Sequence, residues 1–183
     1  MKKRYLVLIL LLIIVSASAT YAFIVRESDT ESIITFGSLK MKLMETTLVN
    51  GEEVEVDDEE SLDISHATNV SRIVRVKNIG RHSMYVRVKL NIYGENDGEI
   101  YDISDAYKID TSENWIYQDG YYYYKYALNK DEITDELMKE IVFDNDIVTT
   151  KYQGSKFNLE IKGEALQREN NKDNVLEATG WPE

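Results

Sequence analysis

The sequence predicts an all-β protein, an antiparallel β-sandwich or jelly roll with one or two short helices, preceded by a signal peptide and an extended N-terminal arm. Three observations predict the fold class. Apolar and polar residues alternate with period two in several separate stretches. Turn pairs containing glycine stand between those stretches. No long helical pattern links them, as a parallel α/β sheet would require.

The strands follow in order. Leu39, Met41 and Leu43 alternate with Lys40 and Lys42, a strand with one face buried, and Asn50-Gly51 marks a turn. From Glu52 to Glu60, seven of nine residues are acidic, the pattern of a solvated loop. Val70, Val74 and Val76, set among Arg72, Arg75 and Lys77, give a second strand, and Asn78 to Ser83 a loop. The cleanest alternation places Val86, Val88, Leu90 and Ile92 on one face and Tyr85, Arg87, Lys89 and Asn91 on the other. Asn96-Asp97-Gly98 then signals a hairpin.

Asp119-Gly120 predicts a second hairpin, pairing Gln118 with Tyr121, Tyr117 with Tyr122, and Trp115 with Tyr124. Such aromatic cross-strand pairs contribute roughly 0.2–1 kcal/mol each. This aromatic hairpin admits two readings, a sugar-stacking platform or a sheet packed on both faces. Asp131 to Ile141 carries Ile133, Leu137 and Ile141 at spacing four, which predicts a short amphipathic helix. Strand patterns return at Ile147 to Tyr152 and at Phe157, Leu159 and Ile161. In the polar tail, Val175, Leu176 and Trp181 suggest a helical turn followed by a docked Trp.

Composition bounds the function. The chain has 183 residues, with 33 acidic against 21 basic side chains and a net charge of -12. One domain is expected, and a basic nucleic-acid binder is excluded. There is no cysteine, so disulfides and thiolate chemistry are excluded, and only 2 histidines occur. His66 and His82 belong to no zinc-binding helix motif, and neither a phosphate-binding loop nor a nucleophile elbow is present. No enzymatic activity and no cofactor are therefore expected. Calcium is the one inorganic partner with candidate ligands: Asp102 with Asp105, and Asp144 with Asp146.

The first residues read as an address. Lys2, Lys3 and Arg4 precede an apolar run from Tyr5 to Val15 and then small residues through Ala19. This is the layout of a secretory signal peptide, too short to span a bilayer as a helix of roughly 20 residues. Cleavage after Ala19 or after Ala22 fits the small-residue rule, and an uncleaved anchor through Val25 is the other reading. The expected division is a signal peptide at 1–22, an extended arm at 23–37 and a β-sandwich at 38–183. Loss of residues 1–22 removes three bases and no acid, leaving -15.

Several landmarks recur in one order. They are Ala19-Thr20-Tyr21-Ala22-Phe23, Ile34-Thr35-Phe36-Gly37-Ser38-Leu39-Lys40, Val76-Lys77-Asn78-Ile79-Gly80 with Tyr85-Val86-Arg87-Val88, Asp119-Gly120 with its four tyrosines, Glu164-Ala165-Leu166-Gln167, and Gly180-Trp181. In this the chain resembles the TasA/camelysin family of exported Gram-positive proteins, processed by a SipW-type signal peptidase. The resemblance implies a jelly roll, cleavage between Ala22 and Phe23, and secretion to the extracellular matrix or cell surface. It also implies assembly with itself or related exported subunits into biofilm-matrix fibres, by an N-terminal strand that completes a neighbour's sheet. Camelysin is described as a metalloprotease, but this sequence lacks a recognisable zinc motif.

The physics of an arm agrees with strand donation. An open sheet edge leaves N–H and C=O groups unpaired, and an extended segment can satisfy them while alternate side chains fill pockets. Phe23, Val25, Ile33 and Phe36 are the candidate anchors. Donor and acceptor surfaces differ, so the contact is head-to-tail and propagates. The other readings of the arm are a flexible leader or a segment folded back on its own sheet. The alternatives to a fibre subunit are a surface-associated, metal-dependent peptidase and a polysaccharide-binding module.

Overall fold

A computed structural model describes residues 33–36, 38–56, 62 and 69–182. The described chain is built mainly from antiparallel strands, as the alternation predicts. The first sheet contains β1 (Ile33–Phe36), β2 (Leu39–Val49), β3 (Glu52–Glu55) and β5 (Ile73–Asn78). The second contains β6 (Met84–Asn96), β7 (Glu99–Asp102), β9 (Trp115–Gln118), β10 (Tyr121–Tyr124) and β12 (Lys156–Gln167). The third contains β4 (Asn69–Ser71), β8 (Tyr107–Thr111) and β11 (Met138–Phe143).

In the first sheet Met41 and Lys42 pair both with β1 and with β5, and Thr46 pairs both with β3 and with β5. Hence β5 lies on one side of β2, while β1 and β3 lie end to end on the other. In the second sheet β12 runs the length of β6, from Lys156↔Glu95 to Gln167↔Met84. The opposite side of β6 holds β10 and β7, and β9 lies outside β10. The first and third sheets are joined by the chain itself, since β4 leads through Arg72 into β5. There the Arg72 N–H donates to the Lys139 carbonyl at 3.0 Å, and the Thr47 hydroxyl donates to the Ser71 carbonyl at 3.0 Å.

One core spans all three sheets. Met41, Val74 and Val76 meet Val86, Val88, Phe157 and Ala165, with Ile141 and Phe143 from the third sheet. Side chains of this kind contribute roughly 1.5–3 kcal/mol each on full burial. The first and second sheets approach closely at Gly163, where a Cβ would lie 2.7 Å from Met41 Cε. Three of the hairpin turns are of one kind. Asn50-Gly51, Asp97-Gly98 and Asp119-Gly120 all have positive φ at both central residues, as the twist of a two-residue hairpin demands.

Three sequence expectations are corrected. Asp131 to Ile141 forms no helix. Asp131 has φ 67, and the segment runs extended along the outer edge of β5. The Asp131, Thr134 and Leu137 N–H groups donate to the Asn78, Val76 and Val74 carbonyls at 2.8, 2.9 and 2.8 Å. Three turns of isolated helix are marginal in water, whereas closing a bare edge satisfies several backbone groups at once. Leu137 and Ile141 are still buried, but Ile133 is exposed.

The second correction is Ile147 to Tyr152, whose β-branched residues mimic a strand. All of it but Tyr152, the C-cap, lies in helix α1 (Asn145–Lys151). Asp144 is its N-cap, accepting from the Asp146 and Ile147 N–H groups at 3.1 and 3.2 Å, and Lys151 closes the last turn. The third is the start of the acidic stretch. Glu52–Glu55 is strand β3, exposed at all four positions and paired to Thr46–Val49, while residues 57–60 lie outside those described. The expected helical turn of the tail is present as a 3-10 turn, Val175–Glu177, followed by a packed Trp181.

Asn78 holds the loop after β5. It is fully buried, and its amide donates to the His82 and Leu128 carbonyls at 2.9 Å each, while its Oδ1 accepts from the Gly80 N–H at 2.9 Å. Asn78→Ala removes three side-chain hydrogen bonds, two of them buried, so a loss of about 3 kcal/mol is expected. Urea denaturation of the two proteins checks this, and an unchanged midpoint would refute the role given to Asn78.

Candidate functional site

The arm reaches the sheet through Ile33–Phe36. Ile33 pairs with Lys42, Ile34 with Met41, Thr35 with Lys40 and Phe36 with Leu39, all within one chain. Ile34 packs against the main core, and its Cδ1 lies 3.5 Å from the position a Cβ on Gly163 would take. Ile33, on the other face, is exposed. The end of the arm therefore folds back on its own sheet, one of the three readings of the segment. Phe23, Val25 and the cleavage site at Ala22 and Phe23 lie outside the described residues, as does His66.

The aromatic hairpin forms in the expected register, with Tyr121↔Gln118, Tyr122↔Tyr117, Tyr123↔Ile116 and Tyr124↔Trp115. Its two faces differ. Trp115 and Tyr124 are buried in the main core with ring centroids 5.1 Å apart. Further along the same face, Tyr122 and Tyr117 stand 4.7 Å apart, and Tyr117 is 64% exposed. Burial, with Tyr117 and Tyr107 nearby, pushes the Tyr122 hydroxyl up to about 12. Tyr107 is also raised, by burial first and then by Asp102 and Tyr117.

On the opposite face a second cluster joins Tyr85, Tyr123, Leu166, Val175 and Ala178, with Tyr121 and Trp181 against it. The hairpin is therefore packed on both faces near Tyr123 and Tyr124 and open at Tyr117. At the centre of the second cluster stands Arg87, directly across from Glu164. Its guanidinium lies 4.0 Å from the Tyr121 ring centre and 4.7 Å from that of Trp181. Arg87 Nη2 lies 2.6 Å from Glu164 Oε2, Nη1 donates to the Tyr123 hydroxyl at 3.1 Å, and Nη2 donates to the Pro182 carbonyl at 3.1 Å. Lys162 Nζ, 2.9 Å away, meets the other oxygen of the Glu164 carboxylate.

Sequence reasoning missed this cluster. Its signals were an arginine on the polar face of the cleanest strand and a lone Trp near the end of a polar tail. The arrangement binds the tail to β6, β10 and β12, and Tyr85 adds hydrogen bonds to the Lys172 and Asp173 carbonyls at 2.9 and 2.8 Å.

The four candidate calcium ligands serve local structure. Asp102 accepts from the Ser104 N–H and hydroxyl at 2.8 and 3.0 Å. Asp105 accepts from Lys151 Nζ at 2.6 Å and the Tyr152 hydroxyl at 2.7 Å, and these bonds hold its carboxyl below the usual range. Asp144 caps α1, and Asp146 lies in its first turn. Among the described residues no three His, Asp or Glu side chains converge as a metal site. His82 is an exposed loop residue. No family model, curated protein or solved structure matches the chain.

The Glu164 carboxyl has a pH consequence. Burial alone would raise it, but hydrogen bonds and charge from Lys162 and Arg87 overcome that and hold it below the ordinary carboxylate value. A group lowered in the folded state stabilises above its unfolded value, about 4.3, and that stability is lost as pH falls through the folded value. Glu164→Gln is expected to cost about 2–4 kcal/mol at pH 7 and to flatten the loss of stability below about pH 4.5. Denaturation midpoints across a pH series measure both, and an equally steep acid limb in the variant would refute the assignment.

Proposed function

We propose that this chain is an exported structural subunit that assembles head-to-tail into extracellular or cell-surface fibres. In this reading residues 1–22 are a cleaved signal peptide, the chain begins at Phe23, and the three sheets form a jelly-roll sandwich. The single observation that carries the reading is β1. Residues of the arm, Ile33–Phe36, take strand conformation at a sheet edge, bound to β2 by main-chain pairing. A segment with that local preference can add to an edge of another copy by the same hydrogen bonds. Phe23 and Val25 would then be the residues that distinguish donation from the pairing within one chain. The family resemblance and the export layout of the first residues support the same conclusion.

A charge of -15 on each cleaved subunit opposes association at low ionic strength, so salt or acid favours it. Protein beginning at Phe23 is expected to form filaments under electron microscopy as salt rises or pH falls. Removing residues 23–32, which leaves β1 in place, is expected to abolish them. A protein that stays monomeric under every condition, or filaments indifferent to the deletion, would defeat the proposal.

A further inference from the structure

The fibre reading leaves the open end of the aromatic hairpin without a role. Tyr117 is a large ring with 64% of its surface in solvent, yet its ring is held 4.7 Å from that of Tyr122. Tyr122 in turn is backed by the main core and lies opposite Val88 on β6. The exposed Tyr117 ring is therefore already oriented by the half-buried Tyr122 ring beside it.

We propose that Tyr117, held by Tyr122, forms a binding site for an uncharged polysaccharide. Two features on this face select that ligand class. A pyranose presents an apolar C–H face and a rim of hydroxyls, which matches a fixed phenol ring whose body is apolar and whose tip and neighbours donate and accept hydrogen bonds. The charge selects against anionic polymers, because the chain is acidic overall at -12 and Asp119 stands in the turn of the same hairpin. Pre-oriented rings reduce the ordering cost of binding, so a single exposed stack contributes usefully to a multivalent polymer. Fibre subunits carrying such a site would present it many times along a filament, although the site itself is independent of assembly.

Affinity electrophoresis in gels containing a soluble, uncharged β-glucan or α-glucan tests the proposal, with an anionic polygalacturonate as the comparison. Retardation by an uncharged glucan and not by the anionic polymer is expected. Tyr117→Ala is expected to weaken binding roughly tenfold, and Tyr117→Trp to keep it. Tyr117→Phe, which retains the ring and removes the hydroxyl, is expected to weaken it severalfold, and it serves if the alanine variant loses stability. Deletion of residues 23–32 is expected to leave retardation unchanged, which separates this site from fibre assembly. Absence of retardation by every uncharged glucan, or retardation equal in wild type and Tyr117→Ala, would overturn the proposal.

Discussion

The pairing of β6 with β12 is the constraint on which the rest of the molecule depends. It runs unbroken through twelve residue pairs, and every one of them fixes which side chain faces which way. Val86, Val88, Phe157 and Ala165 then fall on the main core. Tyr85, Arg87, Glu164 and Leu166 fall on the other face, where the tail covers them. A slip of one residue would exchange the two sets. It would put the Arg87–Glu164 pair into the apolar interior at a cost of several kcal/mol per unpaired ion. The buried ion pair therefore acts less as a source of net stability than as a penalty on wrong registers.

How far the fold was legible follows from where the information lies. The alternation of β6 and the hairpin at Asp119-Gly120 are local patterns, and both appear in the expected register. Turn chemistry at Asn50-Gly51 and Asp97-Gly98 is equally local. Asp131 to Ile141 was misread because its apolar spacing fits a helix, while the deciding factor is the empty edge of β5, more than fifty residues earlier in the chain. Ile147 to Tyr152 was misread for the opposite reason. Its β-branched residues outweighed the cap at Asp144, whose aspartate had been read as a cation ligand instead.

The candidate site divides the same way. The aromatic pairs of the hairpin could be written down from the sequence, because they lie within ten residues of one another. The Arg87 cluster could not, because it gathers residues from β6, β10, β12 and the tail, and its arginine reads as an ordinary polar-face residue. Exposure of Tyr117 was equally hidden, since nothing local distinguishes it from Tyr124, which sits on the same face of the same hairpin and is buried.

The two tryptophans belong to different clusters, and this has a consequence for how the molecule comes apart. Trp115 is sealed in the main core beside Tyr124, while Trp181 rests on Arg87 and Tyr123 at the end of the chain. A tail held by a small apolar cluster, one cation, a few rings and scattered main-chain bonds can peel away while the sheets stay closed. The indole at position 181 would then enter water in a step of its own, and the indole at position 115 only when the whole domain melts. The protein thus carries two built-in optical reporters, one for fraying of its terminus and one for global collapse.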